Sequence, residues 1–576
     1  MTRANKDTGR KLTDYIPALK WLPHYNRAWL AGDLIAGLSV WALLVPQGIA
    51  YSSIVGVPAQ FGLYTALGAL IGYALFGTSR QLITGPSATV AAVSFAVVGG
   101  LAASPNSDEW IAYTAALALL TGAIFFVMGL LRMGWVSNFL SRAVLEGFIF
   151  AFGIGLIIDQ SHKLLGVSKV DGSYWNVLVG TIREIPQTNL YTFAVGGAAL
   201  ALLLILRRYF PKWPRALIAV VLGILVATVL PLNANHGVSI VGTVPTGLPS
   251  VAIPTFALSD LTPLLMGALA VIFVGFSETL AAARDKAALH QYEIDVSQEM
   301  VAQGMASGVS SLLGGYVVDG SLSKTTVADL AGQKSQMGSL VTAGLILLTV
   351  LFLAGLFTNL PNAVLGAVVI DAAIGLVKVP VLRKVRATSR VDFAAFVAAG
   401  LGLFFISVLA GVVIGVALSL LLLIAGVSKS PVRRMGLDEE ENTYVVVDRN
   451  PRAKLSEAVL VVDMAGPLFF ADAAPFRESV LAMIEEHKPR AVVVDLGSAT
   501  FMDMDGAEIL SKMNEELGRK DIKLALARVD HEERALLQRA GVVEEIGADN
   551  IFETVRHAVG SLESQLTSDM AVRSHH

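Results

Sequence analysis

The sequence predicts a polytopic α-helical membrane protein, built as a seven-plus-seven inverted repeat of about 14 segments with two half-helices, followed by a cytosolic α/β domain. Three observations predict it: apolar stretches recur from Leu30 to Val427, basic residues collect in every second loop, and the composition turns soluble after Ser430. Of the 576 residues 54% are hydrophobic and 15% charged, where a soluble chain carries about 25% charged residues. Runs such as Ala194 to Leu206 and Leu340 to Leu356 hold no charge, and several approach the about 20 residues that cross a hydrocarbon core.

The segments begin near Leu30, Gln60, Pro86, Ile111, Phe139, Leu190 and Pro214, and again near Leu261, Ser297, Ser321, Ser339, Asn362, Val391 and Leu409. With a cytoplasmic N-terminus every second loop should be enriched in Lys and Arg. Arg80, Arg132 with Arg142, the cluster Arg207, Arg208 and Lys212, then Arg284 and Lys286 obey this. So do Lys334, the run Lys378, Arg383, Lys384, Arg386 and Arg390, and finally Lys429, Arg433 and Arg434. Lys163 and Lys169 are the exceptions. Both termini are therefore expected inside, in the plasma (inner) membrane. Arg3, Lys6, Arg10, Lys11, Lys20 and Arg27 precede the first segment, with no cleavable leader pattern among them.

The organisation expected is a cytoplasmic N-terminal segment at 1–29, a transmembrane domain at 30–428, a linker at 429–442, a soluble domain at 443–563 and a tail at 564–576. Within the soluble part, strands at Thr443 to Val447, Ala458 to Asp463, Ala491 to Leu496 and Lys523 to Ala527 alternate with helical stretches, the pattern of a sheet covered by helices. The net charge of -3 says nothing about partners because the charges are segregated. There is no cysteine, which excludes disulfides and thiolate metal sites. No nucleotide-binding loop, metal cluster or nucleophile constellation is present, so neither enzyme chemistry nor a cofactor, metal or nucleic-acid partner is expected.

Two segments are short in the same way. One starts Gly85-Pro86-Ser87-Ala88-Thr89-Val90, the other Gly320-Ser321-Leu322-Ser323-Lys324; each writes a helix start. They are the third segments of the two sets of seven, and matched half-helices point to a binding site at the bilayer midplane. Facing N-termini present unpaired N–H groups and a positive dipole end, which favour an anion. Lys324 adds a fixed charge, and Ser87, Ser321 and Ser323 add hydroxyls. The alternative is tight loops in a bundle with serines that only cap helices.

The first segment carries Pro46-Gln47-Gly48, where proline interrupts the backbone ladder, and Gln47 and Tyr51 share one helical face; Gln47 could equally bond a neighbouring helix. Glu278 lies in the eighth segment, where an ionisable group is costly and usually functional. It could take up a proton, bind a coupling cation or pair structurally with Lys324.

At PQGIAYSSIVGVPAQFGLY (46–64), FGTSRQLITGPSATVA (76–91), FSETLAAARDKA (276–287) and GSLSKTTVADLAGQKS (320–335) the sequence resembles the SulP family of sulfate permeases and related anion exchangers, to which prestin belongs. The resemblance implies core and gate subdomains, a homodimer and elevator-like movement of the core. Its substrate contacts fall on Gln47, Tyr51, Pro86, Ser87, Ala88, Glu278, Ser321, Leu322, Ser323 and Lys324; Glu278, as a buried acid, is also the candidate coupling residue. Two departures stand out: Lys324 replaces a common Arg, so that a point charge stands in for a flat two-pronged grip, and Asp319 opposes an anion unless it is paired or turned away.

At VVVDLGSATFMDMDGAEIL (492–510) the soluble part resembles STAS domains and anti-sigma-factor antagonists. Asp505 stands where the antagonists carry a phosphorylatable serine, and is expected to cap the following helix. The function implied is secondary active transport of a small inorganic or organic anion (sulfate, bicarbonate or dicarboxylate class), coupled to H+ or Na+ or run as exchange. The alternatives are a STAS-regulated membrane sensor or scaffold, which has no need of matched half-helices, and a nucleobase permease of the same fold, which Lys324 disfavours.

Overall fold

A computed structural model describes residues 15–102, 104–135, 141–170, 172–211, 213–427 and 432–573. The expected segment start at Phe139, and Arg3, Lys6, Arg10, Lys11, Lys212 and Lys429, lie outside these.

Each of the fourteen apolar segments forms one helix. The first seven are α1 (Leu30–Val55), α2 (Ala59–Phe76), α3 (Ala88–Val98), α4 (Asp108–Leu130), α5 (Arg142–Leu165), α6 (Leu190–Tyr209) and α7 (Arg215–Val229). The second seven are α8 (Leu261–Leu289), α9 (Val296–Leu312), α10 (Leu322–Leu330), α11 (Met337–Leu348), α12 (Asn362–Ile374), α13 (Arg390–Phe405) and α14 (Val408–Val427). Among the described residues eight helical stretches are long and apolar enough to cross a membrane.

The helix ends follow local chemistry. Gly56, at φ +83°, terminates α1 in the left-handed conformation, while Asn189 and Asp295 cap α6 and α9 by accepting first-turn N–H groups. Pro46 does not break α1, which runs through it as one helix. Helices α1 and α2 cross so closely that a Cβ on Gly62 would lie 2.0 Å from the Gly48 carbonyl oxygen.

Two bundles result. Helices α1–α4 and α8–α11 pack together, with α9 against α2 and α4 and α11 against α1 and α2. In the second bundle α5 packs against α12 and α13, and α6 against α12. Helix α1 also touches α7 and α12.

The buried charges have specific partners. Glu299, fully buried, accepts from Tyr73 Oη at 2.6 Å and from the Thr78 N–H at 2.7 Å. Asp33, also fully buried, accepts from Tyr25 Oη at 2.9 Å and from the Lys334 N–H at 2.8 Å. In the second bundle Arg215 Nε pairs with Asp371 at 2.7 Å. The two exceptions to the loop-charge rule are tied down: Lys163 donates to Ser53 Oγ at 2.8 Å, and the Lys169 ammonium lies 4.6 Å from the Phe95 ring centre.

After Ser419 a second compact unit begins. Its sheet comprises β3 (Val432–Asp438), β4 (Thr443–Val446), β5 (Val459–Met464), β6 (Ala491–Asp495), β7 (Lys523–Ala527) and β8 (Ile551–Phe552), in the order β4-β3-β5-β6-β7-β8. Strands β5 to β8 pair in parallel and β3 pairs antiparallel with β4 and β5. Alternation splits β5: Leu460 and Val462 face one apolar cluster with Phe476 and Leu510, while Val459 and Val461 face another with Val559 and Leu562. The covering helices are α15 (Ala473–His487), α16 (Met504–Gly518), α17 (His531–Arg539), α18 (Val542–Ile546) and α19 (Val555–Arg573).

Three expectations are corrected here. Val432–Asp438, taken as linker, is β3, because its valine and methionine extend the sheet beside β5. Residues 564–573, taken as tail, continue α19, whose Leu562 and Leu566 are buried against the sheet. Asp503, rather than Asp505, caps α16 by accepting from the Gly506 N–H at 2.9 Å; Asp505 sits in the first helical turn.

Candidate functional site

The half-helices α3 and α10 start from one strip of backbone. Thr84 and Gly85 form β1 and Asp319 and Gly320 form β2, the first two strands of the chain, which pair antiparallel as a separate two-stranded sheet with Thr84 opposite Gly320 and Gly85 opposite Asp319. Side chains seal the junction: Thr279 Oγ1 on α8 accepts from the Gly320 N–H at 2.7 Å, and Thr325 Oγ1 accepts from the Ile83 N–H at 3.0 Å. Gly320 is required by space, since a Cβ there would meet Leu82 and Thr279 at 3.0 Å.

Two N-termini thus emerge from adjacent points. Ser87 occupies the cap position of α3 without capping it; its hydroxyl donates instead to Asp319 Oδ2 at 2.7 Å. The first turn of α3 therefore has no side-chain cap, and its N–H groups are available to a ligand. Ser321 reaches the Lys324 N–H at 3.5 Å and lies 3.1 Å from Ser323 Oγ.

Lys324 is 1% exposed, and its Nζ reaches across to the Pro86 carbonyl at 2.5 Å. Asp319 and Glu278 interact electrostatically with it and with each other. Thr89, in the first turn of α3, donates to Glu278 Oε1 at 3.1 Å. One ammonium and two carboxyls therefore share this region: with both acids ionised they carry net negative charge, and one bound proton makes them neutral.

The remaining expected residues fall around this centre. Pro86 and Ala88 are buried at the start of α3. Tyr51 is buried on α1 within electrostatic reach of Asp319 and Glu278. Gln47, one turn earlier, is 7% exposed and its Oε1 has no hydrogen-bond partner. Leu322 and Ser323 are exposed. Helix α1 packs on both half-helices, as does α8, so the four elements that carry the ten residues are in contact with one another.

Sequence reading missed Thr89, Thr279 and Thr325, and for Asp319 left open whether it is paired; it is, with the Ser87 hydroxyl. Thr279 follows Glu278 directly and Thr325 follows Lys324, but a threonine in an apolar helix carries no signal beyond ordinary self-bonding to its own backbone.

Comparison with known proteins identifies the family and the fold. Residues 30–399 match the sulfate permease family, and residues 450–558 match the STAS domain. The chain belongs to the sulfate permease family. A probable sulfate transporter of Mycobacterium tuberculosis is 31% identical over 95% of this chain and 97% of its own length. Probable sulfate transporter 3.3 of Arabidopsis thaliana is 29% identical over 95% of this chain and 90% of its own. Among solved structures, murine Solute Carrier 26 family member A9, an anion transporter in an inward-facing state, superposes with a TM-score of 0.88 at 24% identity, covering 98% of this chain and 96% of that one. The transmembrane domain of the cyanobacterial bicarbonate transporter BicA superposes with a TM-score of 0.60 at 23% identity, over 69% of this chain and 97% of that one. This sulfate permease family member is accordingly a multi-pass membrane transporter of anions, not an enzyme, with a C-terminal STAS domain.

Proposed function

We propose that the protein accumulates a small oxyanion of the sulfate class by H+ symport, holding it between the N-termini of α3 and α10. The observation that carries this reading is the cluster of Lys324, Asp319 and Glu278 at the junction of the half-helices. An anion entering beside two ionised carboxyls meets net negative charge. A proton taken up by the pair removes one of those charges and leaves Lys324 and the helix dipoles in control. Anion and proton then favour each other's binding, and linkage makes the effect mutual.

Alternating access by elevator movement fits the two-bundle packing, with the α1–α4 and α8–α11 bundle carrying all ten candidate contacts. The chain sits in the inner membrane as a homodimer, termini in the cytoplasm, as the loop charges and the family resemblance imply. Purified protein in liposomes, given a panel of labelled anions and imposed pH or Na+ gradients, tests the reading. Sulfate accumulation driven by an inward H+ gradient supports it; accumulation that follows only a Na+ gradient assigns the carboxyl pair to Na+, and no accumulation of any anion removes it.

A further inference from the structure

We infer that the protein binds a phosphate ester, carried either by an anionic membrane lipid or by a soluble polyol phosphate, in a second site remote from the half-helices. A cavity of about 540 Å³ lies between the N-terminal segment, the loop after α2 and the loop after α10. Lys20, His24, Arg80 and Lys334 line it, against the single carboxylate of Asp295. Asp295 also caps α9, and the one carboxylate stands against the three side-chain cations of Lys20, Arg80 and Lys334. The floor is polar and rigid: Ser79, Gln298, Ser335 and Gln336 are all buried.

Among the described residues two polar atoms of the lining lack partners. Gln298 is 2% exposed, its amide NH2 is spent on the Tyr15 and Phe76 carbonyls, and its Oε1 accepts from nothing. The buried Trp21 Nε1 donates to nothing. A buried acceptor without a donor costs about 1–3 kcal/mol, so a ligand that brings a hydroxyl to Gln298 and an anionic oxygen to Trp21 Nε1 and the basic rim satisfies both. A phosphate esterified to a polyol carries those two groups a few bonds apart. The loops that form the cavity are held by the buried Glu299 and Asp33 carboxylates, so a ligand reaches Gln298 and Trp21 by movement of side chains.

The position favours a lipid source. Leu19 and Leu22 flank the lining residues Lys20 and Trp21 in the short helix Ala18–Trp21 and its cap, and Leu30, Leu34 and Ile35 follow Trp29 in the first turns of α1; all five are exposed, a surface a bilayer would cover. Basic pockets on the cytoplasmic side of a helical bundle suit anionic headgroups; this placement rests on the topology proposed above, whereas the binding test below depends on neither topology nor transport.

The test measures thermal unfolding of the full-length protein in neutral detergent, with dioctanoyl phosphatidylglycerol, dioctanoyl phosphatidylcholine or glycerol 3-phosphate added. Phosphatidylglycerol should raise the midpoint by several degrees, by preferential binding to the folded state, and phosphatidylcholine should not. An equal shift with glycerol 3-phosphate at the same concentration assigns the site to soluble phosphate esters; a much weaker one assigns it to lipid. The double variant R80Q/K334Q, at two exposed positions, should weaken phosphatidylglycerol binding at least tenfold, while R452Q/K454Q on the second unit leaves it unchanged. Equal shifts with both lipids, no shift with any ligand, or a response kept by R80Q/K334Q would overturn the proposal.

Discussion

The Lys324 ammonium, carried by α10, donates to the carbonyl of Pro86, two residues ahead of α3, at 2.5 Å. The charge on one half-helix is thereby aimed at the N-terminus of the other, so neither half of the repeat holds a complete site.

Removing that charge should disable binding. Lys324→Ala deletes a charge-assisted contact worth about 1.5–3 kcal/mol, so anion affinity should fall roughly 10- to 100-fold. Lys324→Arg preserves the charge and should retain uptake. Equilibrium binding of labelled sulfate measures both; wild-type affinity in Lys324→Ala would mean that the helix dipoles suffice.

Glu278→Gln copies the protonated acid in shape and fixes one carboxyl as neutral. Wild-type uptake should rise as external pH falls, and in the variant this dependence and gradient-driven accumulation should disappear while sulfate exchange persists. Asp319→Asn should behave alike, since the two acids act as a pair. Proteoliposome flux at several external pH values decides it: accumulation unchanged in both variants would leave the carboxyls structural.

Deleting everything after Pro431 should leave sulfate binding intact, because all ten candidate contacts precede that point. Binding to the purified membrane unit is the measurement. Complete loss in a well-folded truncated protein would bring the STAS domain into the site.

Burial holds the Glu533 carboxyl on α17 above the usual carboxylate range, and its Oε2 has no partner. The ionised form is therefore better tolerated in the unfolded chain. Stability from this group is fully present below the ordinary carboxylate value and is lost as pH rises through the higher folded value. Glu533→Gln should raise the unfolding midpoint of the STAS domain at neutral pH and flatten its decline above about pH 4. Thermal scans of residues 432–573 across that range check the sign; a lower midpoint at neutral pH would contradict it.

How much was legible in advance varied with the signal involved. Fourteen helices were readable because apolar length and loop charge are long-range patterns, and the half-helices because Gly85-Pro86-Ser87 and Gly320-Ser321 each punctuate an apolar run. The pairing of Thr84 with Gly320 was not, since strands of two residues have no periodicity to detect. That Asp319 is paired could only be left open, because its partner Ser87 lies 232 positions away. In the soluble unit β3 was missed for a related reason: Val432–Asp438 carries two arginines and an aspartate and resembles a linker, although Arg433 bonds Asp463 at 2.7 Å on the neighbouring strand.

The four-residue ladder that joins β1 to β2 has one last consequence. Because it fastens both half-helices to each other and, through Thr279, to α8, a passenger carried by the elevator movement proposed above would keep its ligands on the way. The intrinsic dissociation constant should then be similar from either compartment.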